Sequence, residues 1–146
     1  MKQIHSCGII VFRLSSNDKP EYLLIRSAKG KIWGFPKGKQ EHGEDDLETA
    51  KREVYEETGV KATIMDGFKE DVYYRTGKGN QKRLSLFLAE ATTQDITLKE
   101  DEIDAYLWLS YEDALEQITY KDLAAPLGKA HKLLMQLQSA EGQSGC

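Results

Sequence analysis

Two runs of apolar residues open the chain and predict a β-hairpin. Residues 4–14 and 21–26 are rich in isoleucine, valine, leucine and tyrosine, which favour strands. The polar segment 15–20 between them has the composition of a loop. Residues 29–43 then place five glycines and prolines among lysines, which predicts a long loop interrupted by a short strand near Trp33 and Phe35.

A helical period follows this loop. Three apolar residues fall within a ~60° arc of one helical face, namely Leu47, Ala50 and Val54. Asp45 with Glu48 forms an acidic variant of the capping box, and Gly59 suits a left-handed C-terminal residue. The sequence therefore predicts a helix over residues 46–58 that docks its apolar stripe on a sheet.

The second half of the chain returns to strand composition before two more helices. Strands are predicted over 62–68, 71–76, 82–92 and 105–109, with a turn at 77–80. Ser110 and Asp113 can cap a helix through residue 118, and a last helix is predicted over 123–137. We predict an α+β fold in which helices flank a mixed sheet, with one domain over 1–138 and a flexible tail over 139–146.

Composition restricts the partners of the protein. The chain has 146 residues and a formal net charge of -4, which argues against general binding to duplex nucleic acid or to an anionic membrane. The longest apolar run is far shorter than the ~20 residues that span a bilayer, and the N-terminus lacks a signal-peptide pattern. We therefore expect a cytosolic protein, and a small phosphate ligand remains compatible with its charge.

The cysteines and histidines have no zinc-site spacing. Cys7 lies in a predicted strand and is expected in the core, since free cysteine is often buried. The other cysteine is Cys146, and the three histidines are scattered. These positions argue against a zinc enzyme.

Like charges cluster on the predicted helix beside its apolar stripe. Glu53, Glu56 and Glu57 stand at i, i+3 and i+4, where like charges cost a helix roughly 0.2–0.5 kcal/mol per pair. Arg52 alone cannot neutralise three carboxylates, whereas hard divalent cations bind carboxylate oxygen readily. The pattern indicates a site for Mg²⁺ or Mn²⁺, and the alternative is a solvated acidic face.

The order of residues around this cluster matches a known motif. Gly38, five residues, Glu44, seven residues and then residues 52–60 fit every fixed position of the Nudix box, GX5EX7REUXEEXGU, where U is aliphatic. The chain thus resembles a Nudix hydrolase. The resemblance implies an α/β/α sandwich with a mixed sheet, and the hydrolysis of nucleoside diphosphates linked to another group with Mg²⁺ or Mn²⁺.

The resemblance also assigns roles within the box. It implies that the metal ligands are Glu53, Glu56, Glu57 and the carbonyl of Gly38. Arg52 would orient a carboxylate through a bidentate pair, and Glu44 would hold the loop against the helix. Glu53 and Glu102 are competing candidates for the base that activates water.

Several segments outside the box are similar to those of the asymmetric diadenosine tetraphosphate (Ap4A) hydrolases. These are residues 33–38, 43–50, 67–69, 87–90 and 105–109, with Tyr74 and Lys82. That resemblance implies that Tyr74 stacks on adenine and Lys82 contacts the polyphosphate. The structural alternatives are a cross-strand aromatic pair for Tyr74 and an ordinary edge lysine for Lys82.

Basic residues border the predicted site and favour a ligand with several phosphates. They are Lys29, Lys31, Lys37, Lys39, Lys78, Lys82 and Arg83. Lys37 and Lys39 are the predicted phosphate contacts next to the box, although Lys39 stands where the Ap4A hydrolases usually have histidine. Diphosphoinositol polyphosphates, RNA 5′ ends and oxidised nucleotides are alternative Nudix substrates, and a nucleotide sensor without turnover is the alternative to an enzyme.

Overall fold

The computed structural model describes residues 3–75 and 79–144, with side chains as far as residue 140. The predicted turn at 77–80 and Lys78 thus lie wholly or partly outside the described residues. The strands are β1 (Gln3–Leu14), β2 (Pro20–Ser27), β3 (Trp33–Gly34), β4 (Lys37–Lys39), β5 (Ala62–Ile64), β6 (Glu70–Arg75), β7 (Gln81–Ala91) and β8 (Ile103–Leu109). The helices are α1 (Asp46–Thr58), α2 (Tyr111–Gln117) and α3 (Ala124–Ser144), and a 3₁₀ turn covers Lys121–Leu123.

β1 is the central strand of a mixed sheet. It runs parallel to β7 over ten residue pairs, from Gln3 opposite Gln81 to Phe12 opposite Glu90. It pairs antiparallel with β2 only near its end, where Phe12 lies opposite Tyr22. Nearer the start of β1, β4 pairs antiparallel with it along the same edge as β2, with Ser6 opposite Lys39. The sheet therefore opens between β1 and β2, and the loop from β3 to α1 fills the opening.

Alternation along the strands builds a core on each face of the sheet. One face packs α1 against the sheet through residues that include Cys7, Ile9, Val11, Ala50 and Val54. The other face packs α2 and α3 through residues that include Ile10, Phe12, Leu86, Leu88, Leu127 and Leu134. Because β1 contributes to both, its residues 6–12 are all buried. This arrangement confirms the predicted α+β fold with a mixed sheet between helices.

The caps fix α1 at the predicted limits. Asp45 accepts from the Glu48 amide, and the Glu48 side chain accepts from the Asp45 amide, which is a complete capping box. Gly59 ends the helix at φ 72°, and its amide donates to the Tyr55 carbonyl. The start and end of α1 therefore follow from local chemistry.

Other boundaries differ from the prediction. β5 ends at Ile64 because the chain turns at Gly67, where φ is 84°. β4 was not predicted, since its sequence Lys-Gly-Lys has no strand composition and its pairing depends on β1. α3 continues to Ser144, beyond the predicted end at residue 137, so the segment predicted as a tail begins inside a helix. The division into a domain of 1–138 and a tail of 139–146 stays a prediction.

Within the described part of the chain, no helix combines the length and the apolar character that crossing a bilayer requires.

Candidate active site

The three clustered glutamates of α1 lie at three depths. Glu57 is buried with 9% of its surface exposed, Glu53 is half-buried and Glu56 is exposed. The backbone amide of Lys37 donates to Glu57 Oε1 at 2.9 Å, which ties the buried carboxylate to β4. The carboxylates thus form a row from the sheet to the surface, beside the stripe of Ala50 and Val54 that docks α1.

Gly38 lies directly against the second of these carboxylates. A Cβ atom at position 38 would overlap the carboxyl group of Glu53, closer than any van der Waals contact permits. The backbone of β4 can pass at this distance only because residue 38 has no side chain. The structure therefore places the predicted Gly38 and Glu53 side by side.

Arg52 joins the loop to the helix. Its Nε and Nη2 atoms donate to the two carboxylate oxygens of Glu44 at 2.6 and 2.9 Å, a bidentate pair. The same guanidinium donates to the Lys39 carbonyl at 3.2 Å, and its Nη1 lies 3.4 Å from Glu53 and 3.3 Å from Glu56. Arg52 thus orients three carboxylates at once, with Glu44 as the firmest partner.

Electrostatics separate Glu44 from the buried glutamates. Hydrogen bonds lower the pKa of Glu44 to about 2; those from Arg52 contribute most, and the one from the Glu41 amide adds to them. Burial raises the pKa of Glu57 from 4.5 to about 7, against the opposing effect of the Lys37 amide. Burial also raises the pKa of Glu53, and Glu56 and Glu102 add to that shift. Burial therefore outweighs the nearby positive charge at Glu57 and at Glu53, which lies 3.4 Å from Arg52, whereas Glu44 is fully paired with Arg52.

The ligand atoms of Glu53, Glu56 and Glu57 do not converge to a single point. Within the described residues, the only three potential metal-ligating side chains whose ligand atoms all lie within 4.8 Å of one another are His5, Cys7 and Asp46. The Lys37 amide holds Glu57 Oε1, and Arg52 donates to the exposed Glu56 at 3.3 Å. The predicted trio shares a helix face, and side-chain rotation is needed to bring an oxygen of each onto one ion.

A cavity of about 260 Å³ opens beside Glu57, where the sheet divides. Its walls combine aromatic rings with cations, and they include Trp33, Tyr74, Tyr120, Lys29, Lys37 and Lys82. Tyr74 is buried, and its ring lies 5.4 Å from that of Tyr120 at an angle of 33°. The structure thus brings the predicted Tyr74, Lys37 and Lys82 together around one space next to α1.

The lysines at this cavity repel one another. Burial lowers the pKa of Lys82, and the charges of Lys37 and Lys39 lower it further. Lys39 is exposed and does not line the cavity, although its charge reaches Lys82. A bound polyanion would relieve this repulsion.

Two of the predicted basic neighbours are engaged elsewhere. Lys31 pairs with Asp104, as does Arg26. Arg83 pairs with Asp71 on the face of the sheet that packs against α1. Neither residue borders the cavity, because strand alternation sends Arg83 away from its neighbour Lys82.

Glu102 sits at the rim of the site. Its side chain is half-exposed and pairs with Lys99 at 3.2 Å. Its charge nevertheless acts on both Glu53 and Glu57, and the Lys99 amide donates to the Glu57 carbonyl. Glu102 therefore lies close enough to the α1 carboxylates to share their electrostatic environment.

Tyr120 was missed by the sequence analysis. It lies between α2 and the 3₁₀ turn, 46 positions from Tyr74, and no local pattern relates the two. The turn packs on β6 and so places Tyr120 against Tyr74. Only tertiary packing creates this aromatic pair.

Comparison with known proteins agrees with the motif. The sequence profile of the NUDIX domain matches residues 5–133. The asymmetrical bis(5'-nucleosyl)-tetraphosphatase of Mus musculus is 35% identical over 141 residues, which cover 90% of this chain and 95% of that protein. The protein of the same name from Sus scrofa is also 35% identical over the same shares of the two chains.

The fold has a counterpart among solved structures. The crystal structure of a binary complex of a C. elegans Ap4A hydrolase superimposes with a TM-score of 0.85 at 28% identity, covering 91% of this chain and 98% of that one. The predicted Nudix fold and the predicted resemblance are thus confirmed. The site described above is carried by an enzyme scaffold, because this chain is a member of the NUDIX family of hydrolases.

Proposed function

We propose that the protein is a divalent-metal-dependent pyrophosphohydrolase that cleaves bis(5'-nucleosyl)-tetraphosphate asymmetrically, giving ATP and AMP from Ap4A. The observation that carries this proposal is the cavity beside Glu57, because an aromatic pair, three lysines and this one buried carboxylate of α1 line the same space. The relatives named as asymmetrical tetraphosphatases, 33–35% identical over most of the chain, support the same substrate class.

The dimensions of the cavity suit part of the substrate. At about 260 Å³ it falls just below the roughly 300–1,000 Å³ typical of pockets for drug-sized ligands. We therefore place one adenosine in this cavity, beside the packed pair of Tyr74 and Tyr120 and next to Trp33, whose flat rings offer the base a stacking surface. The polyphosphate then extends past Lys82 and Lys37 towards Glu57.

The α1 carboxylates suit a hard divalent cation. Nudix hydrolases generally need divalent metals, and carboxylate oxygens are the ligands that Mg²⁺ and Mn²⁺ prefer. Burial raises the pKa of both Glu53 and Glu57 despite the nearby Arg52 and Lys37, and the Gly38 backbone adjoins Glu53. We propose that Glu53, Glu56, Glu57 and the Gly38 carbonyl hold Mg²⁺ or Mn²⁺, with Glu56 rotating towards the other two.

Bound there, the metal would neutralise the phosphate oxygens and lower the pKa of a water molecule. The residues of the chain supply the rest of the mechanism. Arg52 keeps the carboxylates in orientation through Glu44, and Lys82 and Lys37 offset the charge of the polyphosphate. The aromatic pair fixes the nucleoside, so that one anhydride is presented to attack.

A carboxylate must accept the proton of the attacking water. Glu53, within the proposed metal-binding row, and Glu102, at the rim of the site, are both candidates for this base. Glu102 is the more exposed of the two and is paired with Lys99. Replacing each by glutamine separates them, because loss of the base lowers kcat whereas Mn²⁺ affinity falls only if a ligand is lost.

The decisive experiment identifies the products in heavy-oxygen water. Protein, Mg²⁺ and Ap4A are incubated in H₂¹⁸O, and the products are separated and their masses measured by mass spectrometry. We expect equal amounts of ATP and AMP, with one heavy oxygen in one of them. Symmetric formation of ADP, or no turnover, would contradict the proposal, and a parallel panel of diphosphoinositol, RNA 5′-diphosphate and oxidised nucleotide substrates identifies the alternative.

A further inference from the structure

We propose that His5, Cys7 and Asp46 form a second cation site, selective for a thiophilic divalent ion such as Zn²⁺ and separate from the glutamates of α1. The three side chains come from the start of β1 and the first residue of α1. They lie on the face of the sheet that packs against α1, away from the cavity that contains Tyr74 and Lys82. Nothing in the proposed hydrolysis requires them.

The spacing of the ligand atoms fits a small tetrahedral ion. His5 Nε2 lies 3.7 Å from Cys7 Sγ and 3.9 Å from Asp46 Oδ2. All three atoms lie within 4.8 Å of one another. Zinc bonds of roughly 2.0–2.3 Å at tetrahedral angles place neighbouring ligand atoms about 3.3–3.7 Å apart. The cluster therefore needs only small side-chain shifts to close on an ion.

Gln40 prepares His5 for this role. Its Nε2 donates to Asp46 Oδ1 at 2.9 Å and to the Glu44 carbonyl at 3.1 Å, and both partners can only accept. Its Oε1 therefore faces His5 Nδ1, at 3.1 Å, and an amide oxygen accepts the proton of that nitrogen. With the proton on Nδ1, His5 Nε2 carries a lone pair on the side of Cys7 and Asp46, as in metal-binding histidines.

Ser85 lies between His5 and Asp71. Its hydroxyl oxygen is 2.9 Å from His5 Nε2 and 2.7 Å from Asp71 Oδ1, and its single hydrogen can be donated to only one of them. An ion bound to Nε2 is compatible with donation to Asp71. The serine oxygen or a water molecule can complete a fourth position. Gln40 and Ser85 thus orient the side chains of the cluster and still allow their ligand atoms to bind an ion.

Cys7 decides which ions the site prefers. A set of one nitrogen, one sulfur and one oxygen suits Zn²⁺, whereas Mg²⁺ takes oxygen ligands. Cys7 is fully buried, and burial, with Asp46, raises the pKa of its thiol to about 12. Binding therefore forms a cation–thiolate bond, breaks the S–H bond and releases one proton to solvent.

Lys69 competes with the ion for Asp46. Its Nζ lies 2.8 Å from Asp46 Oδ2, and its side chain is about half-exposed. An exposed lysine stem can swing into solvent at little cost when a divalent ion takes its place. Removing this ammonium should therefore increase the affinity for the ion, which is the opposite of the effect of removing a ligand.

The site is distinct from the glutamate row of α1. Asp46 starts the helix and Glu53 follows seven positions later, a separation of about 10 Å along the helix axis. Ligation by Cys7 also has a spectroscopic signature that carboxylates lack. The two sites can therefore be observed separately in one protein.

Cobalt titration tests the proposal. Co²⁺ is added to the 146-residue chain carrying Cys146→Ser, in which Cys7 is the one remaining cysteine. We expect a thiolate-to-cobalt charge-transfer band that Zn²⁺ removes and excess Mg²⁺ does not. Cys7→Ser should abolish the band, and His5→Gln should weaken binding by about 10-fold or more. Lys69→Met should tighten it, while Glu56→Gln leaves the band unchanged.

Each variant is first checked for a native far-ultraviolet circular dichroism spectrum. If Cys7→Ser fails to fold, the loss of affinity in His5→Gln is the test of the site. Absence of the band in the parent protein overturns the proposal. So does a band that survives Cys7→Ser, keeps its affinity in His5→Gln or weakens in Lys69→Met.

Discussion

The carboxylate of Glu53 rests against the backbone of Gly38, in a space that a single methyl group would fill. This contact links β4 to the middle of α1. Glu57, one turn further along the helix, is tied to the same strand by the Lys37 amide. The loop and the helix that carry the Nudix box are therefore packed as one unit.

Gly38→Ala tests this contact. The added methyl group must displace Glu53, and a displacement of about 1 Å in a catalytic group costs on the order of 100-fold in rate. We expect kcat for Ap4A to fall by about that factor while the fold is retained. Gly128→Ala in α3 adds a methyl group remote from α1 and should keep its activity; equal activity of the two variants would contradict the contact's role.

Arg52→Lys tests the orientation of the carboxylates. Lysine keeps the charge but cannot make the bidentate pair with Glu44 and also reach the Lys39 carbonyl. We expect activity and Mn²⁺ affinity to fall by about 10–100-fold. Lys51→Arg, at the exposed neighbouring position, is the matched control. Wild-type kinetics in Arg52→Lys would show that charge alone suffices.

The aromatic pair should act mainly on substrate binding. Tyr74→Leu or Tyr120→Leu removes a stacking surface, which is worth about 1–3 kcal/mol per base. We expect KM for Ap4A to rise by about 10-fold or more with a smaller change in kcat. Tyr74→Phe and Tyr120→Phe keep the rings and should stay near wild type. A kcat effect without a KM effect would place the base elsewhere.

Local sequence was enough to predict the parts of the site held by local contacts. α1 has its predicted limits because Asp45, Glu48 and Gly59 each act within one helical turn. The Nudix resemblance implied a bidentate pair for Arg52 without naming its partner, and the structure shows Glu44, eight positions away across the same cap, in that place. The limits of α1 can therefore be predicted without knowing how the strands of the sheet pair.

The remaining features depend on distant partners. β4 exists because the backbone of β1 is available to it, and the depth of Glu57 follows from that pairing. Tyr120 meets Tyr74 only through the packing of the 3₁₀ turn on β6. Asp46 meets His5 and Cys7 only because α1 docks on β1. A pattern within one segment cannot encode such distances.

Glu57 should make the metal-free protein sensitive to pH. The pKa of Glu57 is about 7 in the folded protein and 4.5 in the unfolded chain. Between pH 4.5 and pH 7 the folded protein therefore keeps a proton that the unfolded chain has lost. This stabilisation is complete below pH 4.5 and is lost as the pH rises through 7. Between pH 5 and pH 8 we expect a loss of about 2–3 kcal/mol in the free energy of unfolding.

Urea unfolding with a chelator present measures this loss. Glu57→Gln should remove that part of the pH dependence, since the amide does not titrate, and so should be stabilising at pH 8. Glu56→Gln, at the exposed position, should leave the pH dependence as it is. An unchanged slope in Glu57→Gln would mean that another group is responsible.

The central claim is that the glutamate row of α1 binds the divalent cation on which hydrolysis depends, and calorimetric titration with Mn²⁺ tests it most directly. With a non-hydrolysable Ap4A analogue present, the account predicts saturable Mn²⁺ uptake that Glu56→Gln and Glu57→Gln each weaken, in step with the loss of hydrolysis. Undetectable Mn²⁺ uptake by the wild-type protein, or uptake by both variants equal to that of the wild type, would contradict it.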